Sequence, residues 1–241
     1  MPEKKLENKF QNRLMVFVNK LKDIYQDDLK SVILYGSAAS GEFLKTNSNI
    51  NLLIILGDAS LENLNRVAPI INAHRNRFID PLFLSEEYIV SSLDVFPIEF
   101  LDMQENYKVI YGKDVLGYLK IDIKNLRFQC EQELKVKLIN LKNTYLRTTN
   151  KAYLKDQLFK SVNSIIHILR NLLRLKGKKP SYLKDDVLNE VSWELKIDTA
   201  NIAAILDARR KNLRLNARKV DDLFIALVKD LEKIVALTDK L

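Results

Sequence analysis

The spacing of apolar residues changes near residue 120, and this change constrains the fold more than any other feature of the chain. Before it, short aliphatic runs typical of buried strands alternate with helical stripes. After it, apolar residues recur every three or four positions as far as residue 237. The sequence therefore predicts an α+β domain over residues 1–120, with a mixed sheet and flanking helices, and an all-α antiparallel bundle over 121–241.

Individual elements follow from the same periodicity. In the first domain we predict helices over 4–28 and 61–71, and strands over 31–35, 50–56, 79–84 and 97–101. In the second we predict helices around the apolar stripes 126–145, 158–173, 187–195, 202–213 and 220–237. Trp193 is expected in the core of this bundle.

The charge of the chain is concentrated in the second half. The net charge is +8, yet residues 1–120 hold 14 Lys and Arg against 16 Asp and Glu, whereas 121–241 hold 25 against 15. A basic half of this kind suits an anion, such as a nucleotide, a nucleic acid or an acidic protein. The run Arg209-Arg210-Lys211 is a candidate for that contact. The alternative is a solvated helix surface rich in lysine.

Several classes of protein are disfavoured by composition. Charged residues interrupt every long apolar run, and the N-terminal residues have no apolar core of a signal peptide, so we expect a cytoplasmic protein with no membrane partner. One cysteine and two histidines cannot form a zinc site. Cys130 stands at an apolar helical position and is expected to be buried.

The stretch from Val32 to Leu56 carries the chemistry. A strand ends in Gly36-Ser37, about eleven residues follow, and Asn49-Ile50-Asn51 opens the next strand. This arrangement resembles the signature of the DNA polymerase beta nucleotidyltransferase superfamily. In that family an Asp-x-Asp pair opens the second strand. Both aspartates are replaced by asparagine here. The helical half is similar to the bundle of small bacterial members and, loosely, to kanamycin nucleotidyltransferase.

The resemblance implies a role for each motif residue. Gly36, Ser37 and Ser48 would bind the phosphates of a nucleotide. Asn49 and Asn51 stand at two of the three carboxylate positions that hold Mg²⁺ in the family. The third corresponds to Glu99, on the predicted strand 97–101.

Losing two carboxylates predicts a loss of catalysis. Each removes an attraction to a divalent ion on the order of 8 kcal/mol at roughly 4 Å and an effective dielectric of ~20. A net deficit of only about 4 kcal/mol in the transition state would slow turnover roughly a thousandfold. We therefore predict a pseudoenzyme that keeps at most a nucleotide-binding or partner-binding cleft and needs no metal.

Two other functions stay open at this stage. An active transferase acting on a small molecule or a protein would need a nucleoside triphosphate and Mg²⁺, held by Glu99 if by any carboxylate of the motif. An adaptor would instead bind nucleic acid or an acidic protein through the basic half. The sequence also leaves a homodimer open.

Overall fold

A computed structural model of the chain describes residues 2–39, 50–74 and 79–240, with residues 2–10, 37 and 74 described for their backbone alone. The chain divides into two compact units, Met1–Asp122 and Ile123–Leu241. The first contains a mixed sheet with flanking helices and the second is helical, so the predicted α+β fold class is confirmed.

The first unit interleaves helices and strands. Its helices are α1 (Pro2–Tyr25), α2 (Leu61–Leu64), α3 (Ala68–His74), α4 (Glu86–Ser91) and α5 (Pro97–Glu105). Its strands are β1 (Leu29–Tyr35), β2 (Ile50–Leu56), β3 (Ile79–Ser85) and β4 (Tyr107–Gly112). Short 3-10 turns at Gln26–Asp28 and Gly36–Ala38 precede and follow β1.

The described strands form a four-stranded sheet in the order β3-β2-β1-β4. Strand β1 is antiparallel to β2 and to β4, whereas β2 and β3 run parallel. Because side chains alternate along a strand, the two faces of the sheet carry different cores. One core contains Leu52 and Ile54 with Phe17 of α1, and the other contains Leu53 with Phe100 of α5.

The predicted strand 97–101 is wrong, because this segment forms the first turns of α5. Pro97 lies in the first turn of that helix, where its fixed φ is favourable and its missing N–H costs nothing. In a strand between two neighbours, the same proline would remove a ladder hydrogen bond. The fourth strand is instead β4, a segment for which the sequence predicted no strand.

The predicted helix 61–71 is interrupted. Helix α2 ends at Leu64 and α3 begins at Ala68, with Pro69 in the first turn of α3. Proline has no N–H to donate to the carbonyl four residues earlier and its ring clashes there, so one continuous helix cannot form.

The second unit is built from long amphipathic helices that bury their apolar stripes against one another. They are α6 (Ile123–Arg147), α7 (Lys151–Leu175), α8 (Lys184–Leu195), α9 (Ala200–Arg210) and α10 (Ala217–Thr238). Cys130 is fully buried, as predicted. Burial raises the pKa of its thiol to about 12. None of the helices within residues 2–39, 50–74 and 79–240 combines the length and the apolar character that a membrane span needs.

Trp193 is not a core residue, which corrects the prediction made from its place in α8. Its side chain is 73% exposed, while Val187, Val191 and Leu195 bury the apolar stripe of the same helix. The ammonium group of Lys196 lies 4.5 Å from the centre of the indole ring. The tryptophan therefore sits on the solvent side of α8 in a cation–π contact.

Candidate functional site at the turn after β1

A tight turn follows β1 at the position predicted from Gly36-Ser37. Gly36 has φ +75°, in the left-handed region that favours glycine. Its N–H donates a hydrogen bond of 2.9 Å to the carbonyl oxygen of Asn106, just before β4. The backbone of residues 36–38 then forms a 3-10 turn. Glycine is thus required at position 36 by the conformation of the turn.

The side chain of Asn51 lies against this turn. Asn51 is half-buried near the start of β2 and pairs with Tyr35 across the antiparallel ladder. A Cβ atom placed on Gly36 would come 3.3 Å from the amide nitrogen Nδ2 of Asn51. Gly36 therefore also provides the space that lets the amide approach the backbone of the turn.

A carboxylate stands directly beside Asn51. In the parallel register of β2 and β3, the partner of Asn51 is Asp80. The pKa of Tyr35 is raised, first by burial and then by the negative charge of Asp80. Register partners project to the same face of a sheet. Tyr35, Asn51 and Asp80 therefore form one row across three strands at the end of the sheet where the turn lies.

Asp80 was not among the residues predicted from the sequence. The third carboxylate was predicted at Glu99 in the segment 97–101, whereas the carboxylate found beside Asn51 is on β3. Glu99 is exposed in the first turn of α5, a helix that contacts the turn at Gly36–Ala38. The signal for Asp80 was present, since it is the second residue of a correctly predicted strand. Asn49 and Ser48 lie outside the described residues, as does the side chain of Ser37.

The row does not fit the two Mg²⁺ ions that the resemblance implies. Hard divalent cations require several oxygen ligands, and carboxylates supply the negative charge that balances theirs. Here the row offers one carboxylate and one neutral amide. In the described part of the chain, no group of three His, Cys, Asp or Glu side chains is placed to hold a metal ion. The arrangement can instead donate an amide N–H and accept through Asp80.

The basic run at the end of α9 is occupied by local contacts. Nη1 of Arg209 donates to the carbonyl oxygen of Phe159 at 3.0 Å. Arg210 pairs with Asp185 at 2.7 Å, and Lys211 lies 3.6 Å from Asp207 one helical turn earlier. These contacts show where the cations of the run are placed, and they involve no residue of the row described above.

Comparison with known proteins defines the class of fold. No protein-family model matches the chain, and no curated protein matches it. Among solved structures, the chain is similar to a spectinomycin adenyltransferase from Enterococcus faecialis, solved with ATP and spectinomycin, at a TM-score of 0.60. The fold of the chain is therefore that of a nucleotidyltransferase.

The two chains share 16% sequence identity over 92% of this chain and 99% of the other. At this level of sequence identity, the similarity shows the fold alone. The predicted nucleotidyltransferase fold, including the helical second half, is thereby confirmed.

Proposed function

We propose that this protein is a catalytically degenerate member of the nucleotidyltransferase fold, one that binds a nucleotide without metal and does not transfer it. The observation that carries the proposal is the pairing of Asn51 with Asp80. Where an active site of this fold would bring carboxylates together, the row presents a neutral amide beside a single carboxylate.

Asparagine in place of aspartate at position 51 changes which ligand atoms the row can bind. A carboxylate only accepts hydrogen bonds and needs a cation between itself and a phosphate. The Asn51 amide carries two N–H donors of its own, which can reach phosphate oxygens directly. Because Nδ2 lies against the Gly36 turn, these donors are held at the place where the phosphates are expected.

Support for nucleotide binding also comes from the fold. The neighbouring adenyltransferase was solved with ATP. In this chain the left-handed turn at Gly36 keeps the backbone free of a Cβ, which permits close approach of a ligand. We propose that Ser37 and Ser48 contribute hydroxyl groups, within a nucleotidyltransferase-like domain over 1–120 followed by the basic helical domain over 121–241.

Metal independence is the property that tests this proposal. We expect ATP, measured by calorimetric titration, to bind equally well in EDTA and in Mg²⁺. Asn51→Asp should weaken binding in EDTA at least about tenfold, since a carboxylate repels phosphate, with partial recovery in Mg²⁺. The matched control is Asn72→Asp, the same charge change at an exposed position of α3. Equal effects of the two variants would contradict the proposal.

Transfer is tested separately. The protein is incubated with labelled nucleoside triphosphates, Mg²⁺ or Mn²⁺, and a panel of hydroxyl and amine acceptors. We expect no labelled product. Turnover that disappears in Asp80→Asn, but persists in Glu99→Gln, would establish an active transferase and overturn the assignment as a degenerate enzyme.

A further inference from the structure

Helix α6 carries apolar side chains on two opposite faces. One face is buried in the second unit and includes Leu126, Cys130, Leu134 and Leu141. The other is exposed, with Phe128 62%, Val136 50%, Ile139 57% and Leu146 82% accessible. Single exposed apolar residues are common, but four on one side of one helix mark a candidate contact surface.

The exposed face has the spacing of a helix-pairing surface. Its positions follow one another at intervals of four, four, three, four and three residues, which is the repeat that keeps side chains facing a second helix. We call it the α6 seam. It consists of Phe128, Gln132, Val136, Ile139, Asn143 and Leu146, all of them exposed and none of them charged.

Several charges near the seam have partners within the chain. Three basic side chains of α6, two of them along the border of the seam, are paired with carboxylates of α6 or of the end of α10. The pairs are Arg127 with Glu131 at 2.9 Å, Lys135 with Asp239 at 3.1 Å, and Lys142 with Glu232 at 2.6 Å. The seam is therefore an uncharged strip, and Lys135 and Lys142 along its border are paired within the chain.

We propose that the α6 seam is the contact surface of a symmetric homodimer, in which the α6 helices of two copies pack antiparallel. The sequence of the seam is self-complementary about a two-fold axis near Lys137. Val136 of one copy then faces Ile139 of the other, and Phe128 faces Leu146. Gln132 meets Asn143, so each amide has an amide to hydrogen-bond. This is the reciprocal pattern that a two-fold interface requires.

The absence of charge on the seam suits a second copy better than an anionic partner. The second half of the chain has a net charge of +10, so two copies repel each other wherever their basic surfaces meet. The uncharged seam avoids that repulsion. A nucleic acid or an acidic protein would gain more from the cations elsewhere on the unit. A lipid surface would leave the amides of Gln132 and Asn143 unsatisfied in an apolar medium.

Oligomeric state is the first test. Sedimentation equilibrium of the full chain over about 1–100 μM should show a species of twice 28.0 kDa. Ile139→Glu places a charge at the centre of the seam and should raise the dissociation constant at least about tenfold. The matched control is Ile225→Glu on α10, where the isoleucine is 43% exposed and lies outside the seam. Circular dichroism melts verify that both variants fold.

Disulfide trapping tests the antiparallel arrangement. In the proposed dimer residue 132 lies beside residue 143 of the other copy, whereas the two residues 132 are roughly 16 Å apart along the helices. Oxidation should therefore link Gln132→Cys/Asn143→Cys rapidly and Gln132→Cys alone slowly, because a disulfide needs Cα atoms within about 7 Å. Cys130 is buried and does not compete.

Three results would overturn the proposal. One is a parent protein that stays monomeric over the whole concentration range. Another is an equal effect of Ile139→Glu and Ile225→Glu on the dissociation constant. The last is linkage of the single cysteine variant as fast as that of the double variant, which would indicate parallel helices.

Discussion

Asn51 and Asp80 are neighbours on two parallel strands, with Tyr35 completing the row on the next strand. A carboxylate at position 51 would place two negative charges side by side at this edge of the sheet. The amide avoids that repulsion and removes the need for a cation to neutralise it. The proposed metal-independent site depends on this difference between amide and carboxylate, and the predictions below test it.

The first prediction restores the acidic motif. Asn49→Asp/Asn51→Asp should lower the stability of the metal-free protein by about 1–3 kcal/mol, since the new carboxylates repel each other and Asp80. Millimolar Mn²⁺ should recover this loss, because the ion binds the folded site and not the unfolded chain. Thermal melts with and without Mn²⁺ measure both effects. The parent protein should respond little.

Asp80 is the internal control for that experiment. Adding Asp80→Asn to the double variant should reduce both the destabilisation and the Mn²⁺ response, whereas adding Glu99→Gln should leave them unchanged. The reverse order would show that the third carboxylate of the site comes from α5, as the sequence first indicated.

The second prediction concerns alkaline pH. The pKa of Tyr35 is raised above 10.0 in the folded protein, by burial and then by Asp80. The resulting stabilisation is present below pH 10 and is lost as pH rises through the raised folded pKa. Above about pH 10, the free energy of unfolding should fall more steeply in the parent than in Tyr35→Phe.

Asp80→Asn provides the check on the cause. Removing its charge should lower the pKa of Tyr35 while leaving it above 10.0, because burial is the larger effect. The measurement is the tyrosinate absorbance of each protein minus that of its Tyr35→Phe counterpart. An unchanged titration would place the Asp80 carboxylate away from the tyrosine.

The third prediction separates conformational strain from close contact at glycine. Gly36→Ala should destabilise the fold by about 1–2 kcal/mol because the backbone at this position is left-handed. A further loss is expected because the new Cβ would lie 3.3 Å from Nδ2 of Asn51. Gly177 also has a positive φ, +70°, but a Cβ there would meet nothing within 4 Å. Denaturant unfolding should thus give a smaller loss for Gly177→Ala. In a protein that also carries Asn51→Ala, the losses of stability caused by Gly36→Ala and Gly177→Ala should be equal.

Periodicity was sufficient to predict most of the architecture. The strand 50–56 is observed with those bounds, and every helix of the bundle overlaps its predicted stripe. Long elements with one buried face leave a repeated signal in the sequence, and this signal survives local exceptions. The turn at Gly36 was predictable for a different reason, since a glycine ending a buried strand indicates a special backbone conformation.

The carboxylate beside Asn51 could not be found from the sequence, because its position depends on which strand lies beside β2. Both 79–84 and 97–101 are short apolar segments with one acidic residue, and strand order is set by long-range pairing. Proline did not separate the two segments, since Pro81 lies within the edge strand β3 and Pro97 lies in the first turn of α5. Strand β4 was missed although Tyr107, Val109 and Tyr111 have strong strand preference.

Trp193 supports a fourth prediction, which tests the placement of α8. If Trp193 were a core residue, Trp193→Ala would lower the free energy of unfolding by about 3–5 kcal/mol. Because the side chain is exposed and stacked on Lys196, we expect a loss of only about 0.5–1 kcal/mol. The chain has no other tryptophan, so its fluorescence reports this position alone. We expect the red-shifted emission of a hydrated indole and efficient quenching by acrylamide in the native protein. Blue-shifted emission that is protected from acrylamide would instead show that Trp193 lies in the bundle core.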